Sequence, residues 1–267
     1  MSASPLVTVL LPVWNGASLP LIAEGEEPLR VAIRSLARQE AAPDAPVPGF
    51  EVLAVDDGST DGTAALLDAL AAEYPCLRVL HRPHEGLPGA LNAGLEAARG
   101  ALIARMDADD VCHPQRLALQ AAWMAEHPET GLLATRVHFG GDRETARGFA
   151  HFVDWQNGLL DHEAISRNRF RDTPVSHPSV MFRRELPRLH GGYADGFFAE
   201  DWELWLRWLH AGMRMAKLPQ ELLVWNDPPR RATRSDSRYC EAANNQLRAL
   251  WLARWLERHN PWHPRVY

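Results

Sequence analysis

Three groups of carboxylates in this chain have the residue types and spacing to do chemistry: Asp107-Ala108-Asp109-Asp110, Asp56-Asp57 and Glu200-Asp201. Carboxylates crowded on one short turn repel each other, and a proton or a cation relieves the repulsion. Mg2+ and Mn2+ prefer oxygen ligands, and Mg2+ typically combines one or two carboxylates with substrate phosphates. An ion held at Asp107-Ala108-Asp109 would neutralise a diphosphate leaving group. The plain alternative there is a solvated acidic turn ahead of a helix. Asp56 and Asp57 run into Gly58-Ser59-Thr60-Asp61, where Ser59, Thr60 or Asp61 could cap a following helix. A cap does not account for two adjacent acids at a strand end, where a carboxylate could accept a hydrogen bond from a nucleobase imide or a ribose hydroxyl. Asp201 precedes Trp202, Trp205, Leu206 and Leu209 at helical spacing, so it reads as a helix N-cap. Fixed at a helix start in a cleft, it could also take the proton from a hydroxyl.

The elements that must position these groups follow from hydrophobic pattern. Val7 to Val13 is an apolar run that stops at Trp14-Asn15-Gly16, the mark of a buried strand. A helix is expected from Glu27 to Gln39, a Pro-rich loop from Ala41 to Gly49, and a second strand from Glu51 to Val55 that delivers Asp56 and Asp57. A helix to Tyr74, a strand from Leu77 to Leu80 and a helix from Leu87 to Ala98 come next. The strand Ala101 to Met106 delivers Asp107, and Pro114 should open the helix after it. Strand and helix alternating at these lengths predict an α/β fold with a mainly parallel sheet flanked by helices. Ligands of such sheets bind beyond the carboxyl ends of the strands, and two strands here end in clustered aspartates. Further on, Thr173 to Phe182 is expected as a strand and Asp201 to Ala211 as a helix. Arg214 to Trp225 is expected as two short strands around Pro219, and Tyr239 to His259 as a last helix. A soft boundary near residue 130 divides residues 1–130 from 131–267 within one compact unit.

Composition excludes several classes. The net charge of -6 argues against a nucleic-acid binder, and the 23% of charged residues is ordinary for a soluble globular protein. Cys76, Cys112 and Cys240 lie far apart without metal-ligand spacing, which suits a reduced, cytoplasmic compartment. No apolar run is long enough to span a bilayer, though peripheral contact with the inner face of a membrane stays open. Lys217 is the sole lysine and no Gly-rich loop precedes it, which argues against a P-loop nucleoside triphosphatase and against Schiff-base chemistry.

The order of the pieces resembles glycosyltransferase family 2. The matching segments are Leu11-Pro12-Val13-Trp14-Asn15, Val55-Asp56-Asp57-Gly58-Ser59-Thr60-Asp61, Leu91-Asn92-Ala93-Gly94, Ala104-Arg105-Met106-Asp107-Ala108-Asp109-Asp110 and Glu200-Asp201, spread over roughly residues 6 to 225. The resemblance implies the A-type fold of nucleotide-diphospho-sugar transferases. It implies a nucleotide-diphospho-sugar donor, most commonly a UDP-sugar, and a saccharide or lipid-linked acceptor of cell-surface polysaccharide or glycolipid assembly. It assigns Pro12, Asn15, Asp56, Asp57, Asn92, Arg105 and Asp107 to the donor. Within that set Pro12 and Asp57 or Asp56 would line the nucleoside pocket. Asp109, with Asp107 beside it, would hold Mn2+ or Mg2+, and Asp201 would be the base of an inverting single displacement.

Two stretches depart from the family pattern, Ala17 to Glu26 by its length and Asn226 to Arg238 by its arginines. Arg230, Arg231, Arg234 and Arg238 are expected to bind an anion, as a lid on the donor or a site for an acceptor phosphate, against the plain reading of a solvated loop. His177-Pro178-Ser179 resembles a segment near the acceptor side. Trp205 and Trp208 read as core, while Trp202 could stack on a sugar. His259 and His263 read as tail. Of the rivals, a nucleotidyltransferase would want a basic Gly-rich loop after the first strand, which Trp14-Asn15-Gly16-Ala17 does not supply. A dinucleotide-binding oxidoreductase would want Gly-x-Gly-x-x-Gly there. A catalytically inactive sugar-nucleotide binder would not need all three acidic sites.

Overall fold

Strand β1 (Val7–Val13) is buried along its whole length, which a strand achieves only in the middle of a sheet covered on both faces. In the computed structural model, which describes residues 4–21, 25–228 and 236–259, β1 pairs in parallel with β2 (Phe50–Asp57) on one side and β4 (Leu102–Arg105) on the other. Strand β3 (Leu77–Arg82) extends the sheet beyond β2. On the far side β7 (Met181–Arg183) runs antiparallel to both β4 and β6 (Thr130–Phe139), β8 (Arg214–Trp225) runs parallel to β6, and the short β5 (Val111–Cys112) closes the edge antiparallel to β8. The order is β3-β2-β1-β4-β7-β6-β8-β5. All but β5 and β7 point the same way, so the carboxyl ends of β1, β2, β4, β6 and β8 meet at one rim.

The alternation of β1 decides what covers each face. Val7, Val9, Leu11 and Val13 pack with Leu29, Ile33 and Leu36 of α1 (Pro28–Ala37) and Leu67 and Leu70 of α2 (Thr63–Glu73). Leu10 points the other way, to Leu91 and Leu95 of α3 (Gly86–Ala97). Gly94 is what lets α3 come so close: a Cβ there would lie 2.1 Å from Leu10 Cδ1. Helices α4 (Arg116–Glu126), α5 (Arg147–Asn157), α6 (His162–Asn168) and α7 (Glu185–His190) follow. Then α8 (Glu200–His210) presses Trp205 and Trp208, both fully buried, onto the α3 side of the sheet. The last helix, α9 (Glu241–His259), lays Ala243, Leu247 and Trp251 on Ala199, Trp202 and Leu206.

Several expected elements take a different form. Arg214 to Trp225 is one strand, not two: Pro219 has no N–H to give a ladder, and the register with β6 jumps there, from Thr135↔Leu218 to Arg136↔Glu221. Thr173 to Phe182 contains a 3-10 turn at His177–Ser179, because Pro178 favours a turn start, and only Met181–Arg183 is strand. Pro114 lies in the turn before α4, whose first residue is Arg116. Trp202 is 1% exposed and donates its indole N–H to the Arg169 carbonyl, so it is core and not a stacking platform. The described part of the tail is ordered as a 3-10 turn, Ser237–Tyr239, and then α9. Among the described residues no helix is long and apolar enough to cross a membrane.

Candidate active site

The two acids that end β2 point to different places because adjacent residues of a strand face opposite sides. Asp57 lines a cavity of about 430 Å³ together with Pro12, Trp14, His84, Arg238 and Tyr239. Its carboxylate accepts the backbone N–H groups of Glu85 (3.1 Å) and Gly86 (2.8 Å), which ties β2 to the first turn of α3. Gly58 makes this junction possible. Its φ is +66°, and a Cβ there would stand 2.6 Å from the His84 amide nitrogen. Asp56 is not in the cavity. It accepts the Ser59 N–H at 3.1 Å and faces His81 Nδ1 at 2.9 Å, while His81 reaches on to Asp68 at 3.1 Å. Burial would raise the Asp56 carboxyl, but the bonds from Ser59 and His81 outweigh it and hold the group below the usual carboxylate range. The opening of the cavity is marked by a stack that sequence reasoning did not find: the Trp14 and His84 rings lie 4.9 Å apart at 23°. Trp14 is 56% exposed, so it presents a large aromatic face to solvent.

The expected capping residues of α2 are displaced by one position. Gly62 is the N-cap, and Asp61 accepts the Thr63 N–H at 2.9 Å. Asn15, in a left-handed conformation at φ 51°, accepts the Thr60 N–H at 2.8 Å through its side chain and so fastens the end of β1 to the turn after β2. Asn92 exchanges two bonds with the Tyr193 backbone, 2.8 and 2.9 Å, and does not line either cavity of the rim.

Beyond β4, carboxylate oxygens of Asp107, Asp109 and Asp110 lie within 4.8 Å of one another. Such a set of hard oxygen donors fits a small divalent cation. The turn is anchored from the other half of the chain. Asn226, just past β8, donates its N–H to Asp110 Oδ1 (2.9 Å) and its amide to the Asp109 carbonyl (2.5 Å). Sequence reasoning missed Asn226 because nothing local shows that β5, which follows the acidic turn, pairs antiparallel with the end of β8 at Val111↔Val224. Arg105, 3% exposed, forms an ion pair with Asp107. Burial would lower its guanidinium, but the Asp107 charge and hydrogen bond prevail and hold it firmly protonated.

Glu200 and Asp201 occupy the first turn of α8, whose N-cap is Ala199, so the capping role expected for Asp201 is not the one it plays. Asp201 Oδ1 accepts the Trp202 N–H at 2.7 Å, and the helix N-terminus favours negative charge at this place. Glu200 is 3% exposed and accepts the Tyr239 hydroxyl at 2.6 Å. His177 stands with Nδ1 3.9 Å from Glu200 and shares a 2.8 Å hydrogen bond with Tyr193. Burial, reinforced by the Arg105 charge, puts His177 well below the usual histidine range, so it is neutral. Burial also raises Glu200. Burial and then the Glu200 charge push Asp201 up to about 8.

What joins these parts is one cavity of about 200 Å³, walled by Arg105, Asp107, Asp109, His177, Glu200 and Asp201. It adjoins the Trp14–His84 cavity, since Leu87 and Tyr239 line both. The recess at Trp14 and Asp57, an acidic turn and a helix carboxylate therefore follow one another along the carboxyl rim. The sequence between residues 8 and 187 matches the model of the family described as Glycosyl transferase family 2.

The chain belongs to glycosyltransferase family 2. It is 29% identical over 224 residues to the amylovoran biosynthesis glycosyltransferase AmsE of Erwinia amylovora, covering 82% of this chain and 75% of that one. To the UDP-Gal:alpha-D-GlcNAc-diphosphoundecaprenol beta-1,3-galactosyltransferase of Escherichia coli it is 26% identical over 222 residues, 82% and 74% of the two chains. Among solved structures, S. aureus TarS 1-349 in complex with UDP-GlcNAc superposes with a TM-score of 0.66 at 18% identity, over 98% of this chain and 76% of that one. The mannosyltransferase PcManGT from Pyrobaculum calidifontis, in complex with GDP-Man and Mn2+, superposes with a TM-score of 0.62 at 22% identity, over 97% and 65%. The fold is the A-type glycosyltransferase fold, and the protein is a glycosyltransferase. Of the residues expected to act, Pro12, Asp57, Arg105, Asp107, Asp109 and Asp201 stand on the two cavities, while Asn15, Asp56 and Asn92 brace the walls from behind. Arg230, Arg231 and Arg234 lie outside the described residues. Arg238 is described, and its guanidinium is clamped on Asp236 at 2.6 and 2.9 Å.

Proposed function

We propose that this protein is an inverting transferase that moves a sugar from a UDP-sugar to an acceptor hydroxyl in the assembly of a cell-surface polysaccharide or glycolipid, at the cytoplasmic face of the membrane. The observation that carries the mechanism is the single cavity holding both the Asp107–Asp109 turn and Asp201. The nucleoside sits against Trp14, Pro12 and Asp57, and the diphosphate points toward Asp107 and Asp109. Those two carboxylates would hold a divalent ion, Mn2+ or Mg2+, which when bound would supply charge neutralisation for the departing diphosphate. The acceptor oxygen attacks the anomeric carbon as its proton passes to Asp201 Oδ2, the Oδ1 atom being taken by the Trp202 N–H. The bond from the anomeric carbon to the phosphate oxygen breaks, and the nucleoside diphosphate leaves with its electron pair. A carboxylate raised toward neutrality by burial is a stronger base than an exposed one. On this reading residues 1–130 supply the donor half and 131–267 the acceptor half.

The choice of UDP is supported by the UDP-sugars in the names of two similar proteins, and the acceptor class by the amylovoran biosynthesis and the diphosphoundecaprenol in those of two relatives. The test is a thermal-shift screen of UDP-GlcNAc, UDP-galactose and GDP-mannose, each with Mn2+. A ligand at about 100 times its dissociation constant adds about 2.7 kcal/mol of stability. Stabilisation by a UDP-sugar and its loss on chelation support the reading. Stabilisation by GDP-mannose alone replaces the donor, and equal stabilisation with and without chelator removes the metal.

A further inference from the structure

The carboxylates of α8 are not held by α8 alone. Tyr239, 39 residues further along the chain, places its hydroxyl 2.6 Å from Glu200 Oε2. The turn that carries it is locked at its start, where Asp236 accepts the Arg238 N–H at 2.9 Å and grips the Arg238 guanidinium. The helix that follows it packs on the same α8 through Leu247 and Trp251 against Trp202 and Leu206. Tyr239 thus sits where the helix pair opens onto the rim, on the wall common to both cavities. His177, a further polar neighbour of Glu200, is 3.9 Å away and too far for a hydrogen bond.

We propose that Tyr239 is a positioning residue for transfer: its hydroxyl fixes the buried Glu200 carboxylate and, through it, the place and charge of the adjacent Asp201, so that the C-terminal segment is part of the base. This rests on the reading of Asp201 as the base. A buried carboxylate without its donor must turn or take up a proton, and either response changes the field at Asp201. Burial and the Glu200 charge both raise the Tyr239 phenol, so it remains a donor throughout the working pH range.

The test uses the full chain, with turnover read as UDP released from UDP-GlcNAc or UDP-galactose in the presence of Mn2+. Tyr239→Phe keeps the ring on the cavity wall and removes only the hydroxyl. It should lower kcat about tenfold, the scale of one hydrogen bond to a charged group, and leave the donor KM within about twofold. Glu200→Gln should also lower kcat. Adding Tyr239→Phe to it should change kcat by less than about twofold, because the two act through one bond. Wild-type kcat in Tyr239→Phe, a loss confined to the donor KM, or losses that multiply in the double variant would each overturn the proposal. Asp201→Asn measured alongside separates the two readings. If it keeps turnover, the base assignment itself fails. If it is inactive while Tyr239→Phe is unimpaired, only the role of Tyr239 fails.

Discussion

Replacing Asp201 by Asn should make the enzyme both inactive and more stable, and the two effects together test the assignment of the base. Asn keeps the shape of the side chain and can still accept the Trp202 N–H, but it cannot take a proton. Removing a general base costs about 10²–10⁴-fold in turnover. The stability effect follows from the raised carboxyl. Its folded-state value of about 8 lies above the ordinary 3.8, so the native state binds the proton more tightly than the unfolded chain. This group's contribution to wild-type stability therefore falls as pH rises through the window from 3.8 to about 8 and is level above it. At pH 7 roughly three units of that window have been crossed, which at 1.36 kcal/mol per unit is at most about 4 kcal/mol. Glu200 shares the pair's protons, so a gain of about 2 kcal/mol is the working expectation, or a rise of about 4–8 °C in Tm for a chain of this size. The assay is calorimetry of both proteins from pH 4 to 9 together with donor turnover and donor binding. The Asn variant should bind donor normally, and the stability gap should open with rising pH. A variant that is less stable at pH 8, or that keeps wild-type turnover, would refute the reasoning and leave Asp201 as a structural group of α8.

Asp109→Ala, or excess chelator on the wild type, should abolish transfer and weaken nucleotide-sugar binding at least tenfold, as read by calorimetric titration; full activity in chelator removes the cation from the mechanism. The two acids of β2 should separate. Asp57→Ala should weaken nucleoside diphosphate binding, with or without the sugar, whereas Asp56→Ala should mainly cost stability by removing the charged partner of His81 Nδ1 and of the Ser59 N–H, about 1–3 kcal/mol in denaturant unfolding. Equal dissociation constants for wild type and Asp57→Ala would move the nucleoside elsewhere. Lys217 is 5% exposed, donates to the Gln156 and Pro174 carbonyls, and is pushed down to about 7 by burial and then by the Arg136 charge. Since the unfolded chain binds that proton more tightly, this group makes stability rise from about pH 7 toward 10.5. Lys217→Met should flatten that part of the profile, and an unchanged slope would show that the lysine is charged in the fold.

The local sequence determined most of the rim formed by β1, β2 and β4. A seven-residue, mostly apolar run such as Val7–Val13, stopped by Trp14-Asn15-Gly16, reads as a central strand, and strand and helix in alternation make the neighbours of β1 parallel, so the acids after β2 and β4 share a rim. The acidic turn was legible for the same reason: its position depends on one strand and its own few residues. What tertiary structure decided are the matters that depend on where distant segments meet. Whether Asp56 or Asp57 faces the cavity is set by which face of β2 lies toward α3, a matter of register that adjacent identical residues cannot reveal. Asn226 and Tyr239 carry no motif of their own. One reaches the Asp107–Asp110 turn because β5, which follows that turn, pairs antiparallel with the end of β8, and the other reaches Glu200 because α9 packs on α8. The Trp14–His84 stack joins the ends of β1 and the β3–α3 connection, 70 residues apart in the chain. Trp202 looked available for a ligand beside Asp201, yet the arrival of Leu247 and Trp251 buried it. Periodicity reports which face of an element is apolar, and only the packed chain says what covers it.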